Sequence, residues 1–151
     1  MLPPFSAVIP CYNEAARIGE TLRLTLDYLA ANAVDSELIV VNDGSTDSTA
    51  AVLKRYGERI EVIDQENGGK SRALNQAMSR VRGAYLWIFD DDDVALPHNV
   101  ERHLAVLEAY PEVGFVYSGC SVIRSHPDGR VEHRGRMSMP VVPGCALMAP
   151  P

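Results

Sequence analysis

Few cysteines and little basic charge limit what this chain of 151 residues can be. Its three cysteines, Cys11, Cys120 and Cys145, are widely spaced, which gives neither a disulfide framework nor a zinc-binding pattern. We therefore expect reduced thiols and a cytoplasmic protein. The net charge of −6 argues against nucleic acid as a partner, since proteins that track its backbone present a basic surface.

The sequence also lacks membrane signals. Its first residues have neither the charged nor the long apolar region of a signal peptide, and no apolar stretch approaches the ~20 residues that span a bilayer. We expect a protein that meets any membrane from its periphery, without a spanning helix.

The hydrophobic pattern predicts five short strands that alternate with four helices. This order indicates an α/β fold in which a mostly parallel central sheet carries helices on both faces. We predict a single domain over 1–151, with a core over 1–125. A hairpin and the start of an incomplete second half are expected over 126–151. The predicted strands lie at 6–9, 37–41, 60–63, 85–89 and 113–117.

Local signals suggest where these elements end. Pro10 is expected to stop the first strand, because proline cannot donate a ladder hydrogen bond. Thr46 or Asp47 is predicted to cap the second helix, and the third helix is expected to bury Met78. Near the end of the chain, 141–148 is predicted to form one strand that enters a second half not contained in this sequence.

Four consecutive aspartates at 90–93 directly follow an apolar strand that is expected to be buried. Adjacent carboxylates repel one another, so their joint presentation indicates a bound cation. Oxygen-only ligands suit Mg²⁺ or Mn²⁺, which commonly arrives with a phosphate. Strand alternation would direct Asp90 and Asp92 toward the ligand and Asp91 and Asp93 away from it. A solvated acidic turn that caps the next helix is the alternative interpretation.

Other polar residues follow the ends of neighbouring strands, where parallel sheets bind ligands. Asp43, beside Gly44, could accept a hydrogen bond from a nucleotide base or ribose, or form an Asx-turn. Lys70 and Arg72 follow a glycine pair at a helix start, which resembles an anion site, although ordinary surface charges also fit. Tyr12 could stack on a base or fill the core.

These segments, in this order, resemble the family-2 glycosyltransferases of the GT-A fold. The matching pieces are VIPCYNE at 8–14, VVNDGSTD at 40–47, NGGK at 67–70 with ALN at 73–75, and the run from GAY to DDDD over 83–93. Each is weak alone, but four in register over about the first hundred residues form a specific signature. The resemblance implies an enzyme that transfers a sugar, with inversion, from a nucleotide-diphosphate sugar.

The resemblance also implies a cofactor, partners and residue roles. The cofactor would be Mn²⁺ or Mg²⁺, the donor most often a UDP-sugar, and the acceptor a saccharide or a lipid-linked glycan. Asp43 would bind the base or ribose, Asp90 would face the ribose or metal, and Asp92 would bind the metal as the last residue of the family's DxD motif. The other substrate-binding residues that it implies are Pro10, Tyr12, Glu14, Lys70 and Asp91.

The catalytic base of this family lies in an acceptor-binding second half, and we assign none here. Asp128 and Glu132 are the late acids, and neither matches the motif. One alternative is a module that holds a nucleotide sugar without turning it over. Another is a nucleotidyltransferase, which would need a glycine-rich basic loop where 10–14 stands. A missing second half predicts an exposed apolar sheet edge, so we expect homo-oligomers.

Overall fold

The computed structural model describes residues 2–33, 35–126 and 128–137, and it divides into two compact units, Met1–Ala95 and Leu96–Pro151. The elements of the first unit are β1 (Phe5–Cys11), α1 (Ile18–Asn32), β2 (Glu37–Asp43), α2 (Thr49–Lys54), a 3-10 turn (Gly57–Arg59), β3 (Glu61–Gln65), α3 (Lys70–Met78) and β4 (Tyr85–Ile88). Those of the second unit are α4 (Asn99–Ala109), β5 (Cys120–Ser125) and β6 (Val131–Met137).

The first unit is built on a parallel sheet in the order β3-β2-β1-β4. The chain adds β2 and β3 on one side of β1 and then returns to place β4 on the other side. The strand order therefore reverses between β1 and β4, and such a switch point is where open α/β sheets bind ligands beyond the carboxyl ends of their strands. Helices flank this sheet, so the predicted α/β fold class is confirmed.

The core of this unit is formed by the central strands and the helices that cover them. β1 is buried along its whole length and β2 along all but its first residue, as expected of strands covered on both faces. On one face, α3 packs Ala73 and Ala77 against Val8, Ile39 and Val41. The alternating strand residues and the spacing of four in the helix produce this cluster.

The helix α3 does not bury Met78, so that prediction is wrong. Met78 is 55% exposed, whereas Ala77 is buried. Successive residues of a helix are rotated by about 100° about its axis. Ala77 faces the sheet, so Met78, the last residue of α3, is turned toward solvent.

The first strand continues through Pro10 to Cys11, so the prediction that the proline stops it is also wrong. Val8 accepts a hydrogen bond from Phe89 N–H on the side of β4, at 3.0 Å. Val8 is also the last residue of β1 in register with β4, so Pro10, which points to the same side, lies beyond that pairing. The missing N–H therefore breaks no ladder hydrogen bond.

The last strand of this sheet, β4, is only half-buried, and Ile88 is 47% exposed. The buried strand expected before the acidic run is therefore an edge strand of the described sheet, paired with β1 alone. Its aromatic side chains still pack together, since the Trp87 ring lies 6.2 Å from that of Phe5 and 4.8 Å from that of Phe89.

The second unit confirms one prediction and corrects another. β5 and β6 form the expected antiparallel hairpin, with an irregularity between Val122 and Ile123, but it begins at Cys120 and not at 126 as predicted. The strand predicted at 113–117 is absent from both sheets of the described chain. A β-strand is defined by hydrogen bonds to a neighbouring strand. An apolar run in the sequence does not show whether such a neighbouring strand is present. The strand predicted at 141–148, which includes Cys145, lies outside the described residues.

Candidate functional site

A cavity of about 220 Å³ opens at the carboxyl end of the first unit's sheet, at the β1/β4 switch point. This volume is below the ~300–1,000 Å³ typical of pockets that enclose a drug-sized ligand, so the cavity encloses only part of a nucleotide sugar. The structure brings together all eight residues predicted as substrate or metal ligands, and their individual roles remain predictions. The cavity is lined by Pro10, Cys11, Tyr12, Glu14, Asp43, Lys70, Asp90, Asp91 and Asp92.

The loop after β1 is held by Asn13, which sequence reasoning assigned no role. Asn13 has a positive φ of 56°, a conformation that asparagine tolerates better than most residues. Its Oδ1 accepts a hydrogen bond from Thr46 N–H at 2.7 Å, and its own N–H donates to Ser45 Oγ at 2.9 Å. Asn13 thereby positions its neighbour Tyr12, which is 47% exposed and so does not fill the core.

The residues between β2 and α2 support the same loop. Thr49 Oγ1 accepts a hydrogen bond from Glu14 N–H at 2.9 Å, and Asp47 Oδ2 accepts one from Ala15 N–H at 3.2 Å. The helix N-cap is Ser48, not Thr46 or Asp47 as predicted. Asp47 Oδ1 still accepts a hydrogen bond from Thr49 N–H, at 2.9 Å, because its side chain folds over the first turn. These hydroxyl and carboxylate groups fix the position of the Glu14 backbone.

Asp43, at the end of β2, is buried and accepts hydrogen bonds through both carboxylate oxygens. Oδ1 lies 2.6 Å from Gln65 Nε2 and 2.8 Å from Gly68 N, and Oδ2 lies 2.8 Å from Gly69 N. Burial alone would raise the pKa of Asp43, but these hydrogen bonds outweigh it and hold the pKa below its ordinary value of 3.8. The carboxylate is therefore ionised at neutral pH.

This arrangement corrects the anion-site interpretation of the glycine pair. The N–H groups of Gly68 and Gly69, expected to receive a phosphate, donate instead to the protein's own carboxylate, Asp43. Gly44 permits the loop after β2 to approach the backbone of Asn67, in the loop after β3. Its φ is +70°, and a Cβ at this position would lie 2.5 Å from Asn67 N. The loops that follow β2 and β3 are thus locked together beside the cavity.

Lys70, the first residue of α3, reaches across to the loop after β4. Its Nζ lies 2.5 Å from Asp90 Oδ2, with the two side chains 54% and 35% exposed. Lys70 is the one basic side chain among the residues that line the cavity, which also include five carboxylic acids. At the rim, Arg17 pairs with Glu14 at 2.7 Å. The cavity therefore contains more negative than positive groups.

The acidic residues after β4 form a turn, in which Asp93 N–H donates to Asp90 O at 3.2 Å. Strand alternation ends at this turn, so Asp91 lines the cavity instead of pointing away as predicted. The turn is anchored to α1 because Thr21 Oγ1 donates to Asp91 O at 3.0 Å. No local pattern could reveal this contact, which joins residues 70 positions apart.

Asp91 is the carboxylate of the site whose ionised form is disfavoured by its surroundings. Burial, followed by the negative charge of Glu14, raises the pKa of Asp91 to about 6. Its Oδ2 is buried and has no hydrogen-bond partner among the described residues. A nearby divalent cation would stabilise the ionised form and reverse the effect of burial.

The donor set fits a hard divalent cation held partly by its ligand. All the carboxylates at the acidic turn are oxygen donors, and Lys70 already provides a positive charge beside Asp90. Within 2–33, 35–126 and 128–137, no three His, Cys, Asp or Glu side chains are arranged to hold a metal alone. Mg²⁺ and Mn²⁺ require only one or two carboxylates when phosphate oxygens and water complete the coordination.

Cys11 lines the cavity but is a packing residue. It is 3% exposed, and burial, followed by the charge of Asp91, raises the pKa of its thiol to about 12. A thiol with this pKa stays protonated at neutral pH and is a poor nucleophile.

The cavity lies at the switch point of the parallel sheet, which is where open α/β sheets bind their ligands. The family model described as "Glycosyl transferase family 2" matches residues 6–138. The chain belongs to this family, and the resemblance inferred from the sequence motifs is confirmed.

Curated relatives include an uncharacterised glycosyltransferase of Rickettsia prowazekii, 32% identical over 98% of this chain and 50% of the relative. The chondroitin synthase of Pasteurella multocida is 38% identical over 89% of this chain and 14% of that protein. The chain thus spans about half the length of the rickettsial relative to which it aligns almost completely.

Solved structures agree on the fold. TarS of S. aureus is similar with a TM-score of 0.58 and 25% identity, over 72% of this chain and 33% of TarS. Glucosyl-3-phosphoglycerate synthase from Mycobacterium tuberculosis, in complex with Mn²⁺, UDP and glucosyl-3-phosphoglycerate, gives a TM-score of 0.56 and 27% identity. That match covers 70% of this chain and 39% of the synthase. The GT-A fold is confirmed.

Among the described residues, no helix is long and apolar enough to cross a membrane.

Proposed function

We propose that this chain is the donor-binding part of a glycosyltransferase that uses a nucleotide-diphosphate sugar, with UDP as the nucleotide, and inverts the anomeric carbon. The observation that carries the proposal is the acidic cavity at the β1/β4 switch point in a member of this family. A diphosphate is itself anionic, so this cavity can receive it only together with a cation. The synthase from M. tuberculosis was solved with Mn²⁺ and UDP, which supports both ligands.

The residue roles are those that the family resemblance implies, and their positions in the cavity support them. Asp92, which is exposed at the acidic turn, would bind Mn²⁺ or Mg²⁺ together with Asp90. When bound, this ion would neutralise the charge that develops on the diphosphate leaving group. Tyr12 would stack on the base, since its ring is half exposed at the cavity.

The remaining residues would orient the donor. Asp43 would contact the base or ribose through the acceptor capacity that its protein hydrogen bonds leave, while Pro10 and Glu14 would border the nucleoside. Asp91 would bind substrate beside the metal. Lys70 would contact the diphosphate, since it is the cationic side chain of the cavity lining. The acceptor would be a saccharide or a lipid-linked glycan, and we assign no catalytic base.

Calorimetry tests the donor site. The wild type and Asp92→Ala should be titrated with UDP and GDP, with and without Mn²⁺. We expect UDP to bind in the presence of Mn²⁺ and the substitution to abolish this binding. Asp27→Ala, which removes an exposed carboxylate from α1, is the matched control and should bind as the wild type does. Failure of the wild type to bind either nucleotide under all conditions would contradict the proposal.

Release of UDP from UDP-sugars in the presence of saccharide or lipid-linked acceptors tests transfer. Acceptor-dependent release would establish a transferase. Donor binding without release would limit the function of this chain to holding the nucleotide sugar.

A further inference from the structure

The ion pair between Lys70 and Asp90 joins a predicted phosphate ligand to a predicted metal or ribose ligand. Lys70 Nζ lies 2.5 Å from Asp90 Oδ2. Lys70 and Asp90 therefore pair with each other, whereas in the proposed complex Lys70 would contact the diphosphate and Asp90 would contact the metal. Because the two side chains are 54% and 35% exposed, their attraction is screened by water and can be exchanged for another partner.

The backbone before Lys70 is held by hydrogen bonds, whereas its side chain is 54% exposed. Asp43 holds the N–H groups of Gly68 and Gly69, the two residues before α3 begins. These groups are therefore already occupied and do not compete for a phosphate. The cation of this helix start that lines the cavity is the ammonium of Lys70, which is carried on a flexible four-carbon stem.

We propose that Lys70 is an exchangeable counter-ion of the donor site, an inference that rests on the proposed function. In the absence of donor, its ammonium neutralises Asp90. When a divalent ion binds at Asp90 and Asp92, the ammonium leaves Asp90 and pairs with the diphosphate oxygens.

This exchange couples the two ligands. A metal ion that arrives alone must displace the ammonium from Asp90, and the displaced charge then repels the ion. A metal ion that arrives with a diphosphate provides the ammonium with a new partner. Metal and nucleotide should therefore bind with positive cooperativity, and Lys70 should be one source of it.

Electron paramagnetic resonance of free Mn²⁺ tests the first half of the exchange without a nucleotide. The full chain is compared as wild type, Lys70→Met, Asp90→Asn and the double variant. We expect Lys70→Met to bind Mn²⁺ alone about fivefold more tightly, the size of an exposed ion pair. In the Asp90→Asn background, the same substitution should change Mn²⁺ affinity by less than about twofold, since the partner is gone.

Calorimetry with UDP at saturating Mn²⁺ tests the second half. We expect Lys70→Met to weaken UDP binding about tenfold, the loss of one charge-assisted contact. The sign of the effect thus reverses between the two titrations. The chain has one other lysine, Lys54, which lies on the exposed surface of α2. Lys54→Met removes the same charge and should change neither affinity.

Three outcomes contradict the exchange. One is a lower Mn²⁺ affinity in Lys70→Met. Another is an equal gain in the wild-type and Asp90→Asn backgrounds, which would indicate only relief of long-range repulsion between the ammonium and the metal ion. The third is unchanged UDP binding. The wild type could fail to bind UDP with Mn²⁺ while the Mn²⁺ affinities of the variants are as expected. In that case the proposed function and the movement of the Lys70 ammonium to the diphosphate are both wrong, and only its pairing with Asp90 is supported.

Discussion

At the amino end of the parallel sheet the carboxylates have cationic partners, whereas at the carboxyl end most of them do not. At the amino end, Glu37 pairs with Arg82, and Glu61 pairs with Arg80 and Arg82. At the carboxyl end, five acidic side chains line the cavity; Arg17 pairs with Glu14, and Lys70 pairs with Asp90. The carboxylates of the amino end are paired within the protein, and we propose that those of the carboxyl end gain an added cation.

Both ends also use a buried or nearly buried carboxylate to hold a loop. At the amino end, Glu37 Oε1 accepts hydrogen bonds from Ser6 Oγ and Arg82 N–H at 2.5 and 2.7 Å. At the carboxyl end, Asp43 accepts from Gly68 and Gly69. A carboxylate thus holds a loop at each end of the sheet. The carboxyl end, which carries the candidate site, differs in having aspartates that, among the described residues, have no cationic side chain beside them.

The largest expected effect comes from Gly83→Ala at the amino end. A Cβ at Gly83 would lie 2.5 Å from Ser6 N and 2.6 Å from Phe5 C, and neither backbone atom can move freely. We expect the free energy of unfolding in urea to fall by about 3 kcal/mol or more. Gly114→Ala is the control, because a Cβ there meets nothing within 4 Å. Equal stability of the two variants would disprove the close packing at Gly83.

The next effect is that of Asp43→Asn. The amide loses the charge and turns a donor toward a backbone N–H, so we expect a loss of about 2–3 kcal/mol in the free energy of unfolding at pH 7. Asp35→Asn makes the same change at an exposed residue and should cost almost nothing. We also expect weaker UDP binding, since α3 and Lys70 would shift.

The cost of Asp43→Asn should depend on pH. The folded-state pKa of Asp43 lies below its ordinary value of 3.8. The stabilisation by the carboxylate is therefore complete above that ordinary value and is lost as the pH falls through the lowered pKa. The difference in unfolding free energy between wild type and variant should shrink in strongly acidic solution. A difference that grows as the pH falls would have the wrong sign.

Glu37→Gln should have a smaller effect, and on stability alone. The amide keeps one acceptor for Ser6 and Arg82 but loses the ion pair, so we expect a loss of about 1–2 kcal/mol in urea unfolding. Affinity for UDP and Mn²⁺ should stay within about twofold of the wild type, because Glu37 lies at the opposite end of the sheet. A large loss of UDP affinity would break the division between a structural and a functional end.

The smallest effect on stability is expected for Thr21→Val, which removes the hydroxyl that holds Asp91 O. Unfolding free energy should fall by about 1 kcal/mol or less, while affinity for Mn²⁺ with UDP should fall about fivefold because the acidic turn loses its anchor. Thr21→Ser should restore the affinity. Thr25→Val is the control, since Thr25 Oγ1 bonds within α1 to Thr21 O. Equal losses in both valine variants would mean that the effect is one of helix stability.

The sequence predicted which loops meet at the cavity, because the predicted motifs follow strand ends. Strand patterns and polar loops were enough to bring Tyr12, Asp43 and Asp90 to one edge of the sheet, whereas Pro10 and Asp91 were implied only by the family resemblance. This works because parallel strands have their carboxyl ends on the same side.

The contacts between loops could not be predicted, because they depend on register and on residues far apart in the chain. The anchoring of Asp91 by Thr21 is one example, and the use of Gly68 and Gly69 by Asp43 is another. β1 can continue through Pro10 because its pairing with β4 ends at Val8. The sequence of β1 alone does not reveal where that pairing ends.

The most direct test of the central claim is a pair of ¹H–¹⁵N spectra of the 151-residue chain, recorded with UDP and Mg²⁺ and then with UDP and Mn²⁺. We predict Mg²⁺-dependent shifts at the backbone of Tyr12, Lys70 and Asp91, and paramagnetic broadening by Mn²⁺ around the same residues. Signals of Glu37 and Gly83 at the amino end should remain unchanged. No shifts at the acidic turn, or broadening centred on the amino end, would contradict the account.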